Sequence, residues 1–329
     1  MKLLVYGAGV IGTTYAWKLD EAGHDVTIFV RKEMKKHIEE NGFILEYLDT
    51  ADKKKERVRK AYFPKVTDAL SPDDGYELII AAVKYNQLSG ILPDLAENAG
   101  EANILFFQNN WSEFDMIEKY VKPENYLLGF PAMVGGGREG NKINCIIFRE
   151  SYSSTMLGEK DGKRTPRLSR VYKVMKSAGM KPEISDCPVD WLATHYIMQA
   201  SGIGAFLKAG SYSSFAASRQ LIRESIMAHR EGLNVCKVRG FDPKKIFMSR
   251  MYYFPMFLIL PVLSMFYKSE TTRMMVEGHM AKGMDEMIDG FYRVLGDGER
   301  LGINMPYWEQ FKRYVDEYYQ RILQTGTSC

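Results

Sequence analysis

Residues 2–12, KLLVYGAGVIG, decide how the rest of the chain is read. The aliphatic start reads as a short buried strand. Gly7, Ala8, Gly9, Val10, Ile11 and Gly12 then turn directly into a helical pattern that sets Ile11, Tyr15, Leu19 and Ala22 on one face. In a strand, turn and helix of this spacing Gly7 permits the tight turn, Gly9 lets a pyrophosphate approach the backbone, and Gly12 lets the helix pack on the strand. The pyrophosphate would rest on free N–H groups at the positive end of the helix dipole. A glycine-rich turn can by itself be no more than a turn. Here Gly23 closes the helix and residues 25–30, DVTIFV, return as a second strand, which completes a βαβ unit. All six residues from Gly7 to Gly12 are therefore expected to bind a dinucleotide.

Arg31 bears on which dinucleotide. An NAD site expects an acidic residue at the end of the second strand, to accept from the ribose 2′-hydroxyl, and this chain offers Arg31 followed by Lys32. A guanidinium there suits a 2′-phosphate. The alternative is a solvated basic strand end. NADP is the expected cofactor, and no metal site is expected.

The chain then alternates. A helical stretch to Glu40 leads to a strand at 43–48, with 61–66 as its expected partner, and residues 76–83, YELIIAAV, form a continuous apolar run of the kind buried in a parallel sheet. Lys84 ends that run. Residues 103–107 make the next buried strand, ending in Gln108, Asn109 and Asn110. This order predicts an α/β fold, a Rossmann-type doubly wound sheet whose ligands bind beyond the strand ends, so Lys84 and Asn109 point to the cofactor crevice. Gly135, Gly136 and Gly137 read as a turn, 143–148 as a strand, 165–177 as a helix and 183–185 as a last strand. Beyond Asp186 the pattern is helical throughout, over 188–207, 213–238, a segment through 251–267, 270–295 and 306–323. The expected domains are 1–187, binding NADP, and 188–329, an all-helical domain for substrate and dimerisation.

Composition bounds the function. At 329 residues with 46% hydrophobic side chains the chain describes a soluble globular protein of two ordinary domains. A net charge of +3 gives no argument for nucleic acid, and the basic run at 53–60 is broken by Glu56 and reads as a solvated loop or strand edge. Cys145, Cys187, Cys236 and Cys329 are scattered, which suggests free thiols in a reducing compartment. No signal peptide is expected ahead of the first strand, and the expected location is cytoplasmic. Residues 251–267 are apolar but short for a span and contain Pro255 and Pro261. A buried, proline-broken helix or an oligomer interface is expected there rather than membrane contact, and a homodimer is plausible.

GAGVIG, Arg31, Lys84 in VKYNQ, Asn109 in QNN, Trp191 in the first helix of the second domain, IDGF at 288–291 and LGINMP at 301–306 together resemble the ketopantoate reductase (2-dehydropantoate 2-reductase) family. The resemblance covers nearly the whole chain. It implies reduction of an α-keto acid to the α-hydroxy acid by NADPH, with Gly7, Gly9, Gly12 and Arg31 at cofactor positions, Lys84 contacting NADP and Asn109 beside the nicotinamide and the small carbonyl substrate. Members carry a lysine two residues after the tryptophan and a glutamate seven residues before the phenylalanine of the GF motif. This chain has Ala193 and Met284 there.

Hydride reduction of a ketone needs a proton donor or fixed positive group at the oxygen, which neither residue supplies. The helix face through 193 continues through Ile197 and Ser201 and is mostly apolar. A shift of two presents His195 and Gln199, and a protonated imidazole can serve as the acid; the alternative is an ordinary helix histidine bonded to a neighbour. Glu277 is expected on the face of Met284 but about 10 Å along the helix, while Asp285 and Glu286 point elsewhere. Lys84, Asn109 and His195 are the catalytic candidates. A non-catalytic NADP-binding sensor is the reading from another class.

Overall fold

The computed structural model describes residues 1–52, 56–111, 114–150 and 153–325. Lys53, Lys54 and Lys55 of the basic run, and Cys329, lie outside them. The chain divides into two units, Met1–Val189 and Asp190–Cys329.

The first unit holds twelve strands among the described residues. In chain order they are β1 (Lys2–Tyr6), β2 (Asp25–Phe29), β3 (Phe43–Asp49), β4 (Val58–Tyr62), β5 (Lys65–Thr67) and β6 (Leu78–Ala81). Then come β7 (Asn103–Phe106), β8 (Tyr126–Pro131), β9 (Val134–Glu139), β10 (Lys142–Ile147), β11 (Thr155–Gly158) and β12 (Pro182–Ile184). Eight form one sheet, in the order β12-β11-β8-β7-β6-β1-β2-β5, parallel except for β8 against β11. Its central strands are buried on both faces, as the uninterrupted Leu78, Ile79, Ile80 and Ala81 require. The other four form a second sheet, β4-β3-β10-β9.

That second sheet revises the reading of the first helix, α1 (Val10–Glu21). Thr13, Thr14, Tyr15, Ala16, Trp17 and Leu19 are all buried, more than one face can supply. The Tyr15 hydroxyl meets Thr155 Oγ1 at 2.6 Å in the large sheet, while the Trp17 ring lies 4.8 Å from Tyr47 of β3 in the small one. The helix is packed between two sheets. It is followed by α2 (Lys32–Asn41), α3 (Tyr85–Asn98), α4 (Phe114–Glu118) and α5 (Pro166–Ser177).

Two expectations from sequence are corrected here. The run 61–66 is two strand ends in different sheets: Tyr62 of β4 pairs with Phe43 of β3, whereas Val66 of β5 pairs with Ile28 of β2. Pro64 has no N–H with which to continue one ladder, and the chain changes sheets there. The three glycines at 135–137 are not a turn but the middle of β9, paired antiparallel with β10. Gly136 has φ +130°, and a Cβ on it would lie 2.0 Å from the Asn144 carbonyl oxygen, so the partner strand comes closer than any side chain allows.

The second unit is helical: α6 (Pro188–Ala209), α7 (Tyr212–Ala217), α8 (Arg219–Val238), α9 (Phe247–Arg250), α10 (Met256–Tyr267), α11 (Glu270–Arg300) and α12 (Pro306–Thr325). The helix read over 213–238 is two, because Ser218 accepts from Leu221 N at 3.2 Å and caps α8. The middle of α8 is the hub. A Cβ on Gly232 would meet Ile197 Cγ2 of α6 at 2.7 Å, and Trp308 Nε1 of α12 donates to the Ala228 carbonyl at 2.7 Å. α10 departs from the buried-helix expectation, since only Ile259 and Leu263 are buried along it. No helix among the described residues is long and apolar enough to cross a membrane.

Gly136→Ala is expected to destabilise the protein by about 3 kcal/mol or more, through strain and overpacking against a carbonyl. Gly140→Ala, at φ +59° with nothing within 4 Å of the added carbon, is expected to cost only about 1 kcal/mol. Urea denaturation of the two variants beside the parent measures the difference.

Candidate active site

The glycine loop separates into two residues fixed by packing and one that faces open space. A Cβ on Gly7, at φ +119°, would sit 2.7 Å from the Ala82 carbonyl oxygen, and one on Gly12 would sit 2.0 Å from that of Gly7. A Cβ on Gly9 would meet nothing within 4 Å. Gly7 and Gly12 thus serve the fold, and Gly9 leaves room for something outside it. The first helical bond runs from Thr13 N to Gly9 O at 2.9 Å, so the amides of Val10, Ile11 and Gly12 have no intrahelical acceptor. Ala8 is buried beneath the loop.

Arg31 lies beside this loop because β2 is parallel to β1 in a register that pairs Phe29 with Tyr6. Their rings stack at 4.1 Å and 9°. Arg31 is exposed and is the residue from which α2 starts. A second arginine also reaches the loop. Arg138, on β9, donates from Nη1 to the Ala8 carbonyl and from Nε to the Gly140 carbonyl at 2.7 Å. No local spacing points to it, since only the pairing of β9 with β10 and of β10 with β3 brings it there.

Lys84 and Asn109 follow adjacent parallel strands, β6 and β7, on the carboxyl edge of the large sheet. Lys84 is the residue from which α3 starts, and its N–H donates to Gln87 Oε1 at 3.3 Å. The buried Gln108, which the sequence reading passed over, ties the two loops together. Its Nε2 donates to the carbonyls of Ala81, at 2.8 Å, and Val83, at 3.1 Å. Asn110 is fully buried with neither amide atom bonded to a described residue. An unsatisfied buried amide costs about 1–3 kcal/mol, so this loop is not built for stability alone.

In the helical unit, α6 sorts its residues by face. Ala193 and Ile197 are 0% exposed and Ser201 3%, turned toward α8, where Ser201 Oγ meets His229 Nδ1 at 3.1 Å. His229 is itself enclosed, and burial pushes its pKa down to about 3, so it is a neutral structural group. His195 and Gln199 lie on another face, each half-buried. Gln199 Nε2 donates to His195 Nε2 at 3.2 Å, and the imidazole stacks on Trp191 with centroids 4.9 Å apart. Rotating the amide presents its oxygen instead, so Gln199 can hold the ring both before and after protonation.

The glutamate position is equally clear. Met284 is buried, and Gly283 before it has non-helical angles (φ −127°, ψ 16°) that break α11. The expectation that Glu277 shares the face of Met284 assumed a straight helix. It does not survive that break.

Residues 3–162 match the family model described as Ketopantoate reductase PanE/ApbA. The Uncharacterized oxidoreductase YkpB of Bacillus subtilis (strain 168) is 22% identical over 185 residues, 56% of this chain and 56% of that protein, so the chain spans just over half the length of this curated relative. Among solved structures, the ternary structure of D-mandelate dehydrogenase with NADH and anilino(oxo)acetate aligns with a TM-score of 0.75 at 16% identity, over 96% of this chain and 97% of that one. The 2-dehydropantoate 2-reductase from Geobacter metallireducens GS-15 aligns with a TM-score of 0.71 at 16% identity, over 97% and 100%. The fold is shared along nearly the whole length.

The buried face of α6 yields a prediction about stability. Ala193→Lys is expected to cost about 3 kcal/mol or more, because an ammonium replaces a fully enclosed methyl group. His195→Ala is expected to stay within about 1 kcal/mol of the parent, as a half-exposed residue should. Thermal melts of the two variants test the assignment of faces.

Proposed function

We propose that this chain, whose residues 3–162 carry the ketopantoate reductase domain, is an NADP-dependent oxidoreductase that reduces the carbonyl of a small α-keto acid to the alcohol. The observation that carries the reading is the open side of Gly9 beside an arginine in place of the acidic residue of an NAD site. The residues fit the cofactor. Gly9 and the free amides of Val10, Ile11 and Gly12 would hold the pyrophosphate, and Arg31 would hold the 2′-phosphate. NADPH, when bound, supplies the hydride.

The rest falls to side chains. Lys84 and Asn109, at the ends of neighbouring strands tied by Gln108, are assigned to cofactor and substrate polar groups. Charge developing on the carbonyl oxygen needs a proton, and His195 is the proposed donor. Trp191 and Gln199 fix its ring, and Gln199 accepts either protonation state. Among described residues Cys145, Cys187 and Cys236 form no disulfide, which suits a reducing, cytoplasmic setting.

Assembly as a homodimer is proposed through α10. Phe257 and Met265 are 74% and 73% exposed, beside exposed Phe254, Leu258 and Val262. No charged residue lies between Arg250 and Lys268, so the matching surface must itself be apolar, and a second copy supplies one. Phe257→Glu is expected to convert a dimer to a monomer by light scattering; a monomeric parent would end the idea.

NADPH oxidation with a panel running from ketopantoate to aromatic 2-oxo acids tests the chemistry. Turnover with one member is expected, with His195→Ala lowering kcat by about 10²–10⁴ and leaving NADPH affinity within about twofold. Gly9→Ala is expected to melt with the parent and lose most nucleotide affinity. Tight NADPH binding without turnover on any keto acid would favour a non-catalytic nucleotide sensor.

A further inference from the structure

We propose that Arg138 is a second cation of the site that Arg31 opens, so that the 2′-phosphate is gripped by guanidinium groups from two different sheets. This rests on the NADP reading above and adds a specificity residue to it.

Several cations of the first unit have a carboxylate: Lys35 meets Asp68 at 2.7 Å, Lys65 meets Asp25 at 2.6 Å, and Arg149 meets Asp49 at 2.9 Å. Among the described residues neither Arg138 nor Arg31 forms an ion pair. Both nonetheless stand at the same loop, Arg31 at the end of β2 and Arg138 on the Ala8 carbonyl. Burial, and the like charge of Arg31 nearby, hold the Arg138 guanidinium below its usual range. Two neighbouring cations without a counter-charge cost stability unless an anion joins them.

The geometry of Arg138 is that of a prepared donor. Nη1 and Nε are anchored on the carbonyls of Ala8 and Gly140, and the guanidinium lies 5.5 Å from the centroid of the Phe43 ring. Nη2 has no partner among the described residues. A planar fork fixed on two edges loses little freedom when its remaining N–H groups meet a phosphate. Its anchor is the loop whose Gly9 faces open space, which places the charge beside the proposed cofactor path rather than on a remote surface.

The test is fluorescence titration of the parent, Arg138→Gln and Arg138→Lys with NADPH, NADH, 2′,5′-ADP and 5′-ADP. In Arg138→Gln, affinity for NADPH and 2′,5′-ADP is expected to fall about 10- to 100-fold, with NADH and 5′-ADP changed less than about twofold. Arg138→Lys, which keeps the charge, is expected to retain part of the preference. Equal losses for both nucleotide pairs would make Arg138 a support of the loop and overturn the proposal, as would no change in either. If the parent itself binds NADH as tightly as NADPH, the NADP reading falls and this inference with it. If the parent prefers NADPH and Arg138→Gln keeps the whole preference, only the role of Arg138 is lost.

Discussion

The hydrogen atoms of Gly7 and Gly12 occupy positions where carbon cannot fit. A methyl group on Gly12 would lie 2.0 Å from the Gly7 carbonyl oxygen, and one on Gly7 would lie 2.7 Å from that of Ala82. This double contact sets the first turn of α1 directly on the end of β1 and against the segment that leaves β6. The amides at the start of α1 are thereby aimed beyond the sheet edge, and Arg31, Lys84 and Asn109, which follow β2, β6 and β7, are gathered along that edge. The glycine loop inherits its place from this contact, and Arg31, Lys84 and Asn109 inherit theirs from the register of the parallel strands beside it.

The second sheet has a related purpose. α1 carries Trp17 and Tyr15 on different sides and needs apolar cover for both, so β3 and β10 pack over the side that the large sheet leaves bare. Reaching that position requires β9 to run close against β10, which the glycines at 135–137 permit. The same strand then delivers Arg138 to the glycine loop. Cover for a helix and a charge at the proposed site come from one hairpin.

What sequence could reveal follows from the range of the interactions involved. The glycine loop is set by its own spacing and the buried strands β6 and β7 by unbroken apolar runs, so KLLVYGAGVIG and YELIIAAV could be read directly. The split of 61–66 between two sheets, the strand nature of Gly135, Gly136 and Gly137, and the reach of Arg138 depend on partners tens of residues away. At α10 the apolar run left burial or an oligomer interface open, and within the chain only Ile259 and Leu263 are enclosed. The pairing of His195 with Gln199 was legible from four-residue spacing. That Ala193 belongs to the core was not, because α6 is apolar on several faces and only the packing of α8 shows which one is inside.

The enclosure of Ala193 bears on the lysine and glutamate that the family resemblance leads one to expect. A chain that had merely lost catalytic groups would leave small residues facing a vacant site. Here Ala193 is fully enclosed and Met284 is buried just after the break at Gly283. A charged side chain at either place would have to be taken out of water without a partner, at a cost of several kcal/mol. The two positions have been absorbed into the packing of the helical unit, and the proposed donor stands on another face of α6. It is His195, stacked on Trp191 and held by Gln199 while remaining half-exposed. Under the proposed function, the residues at 193 and 284 leave the acid to His195.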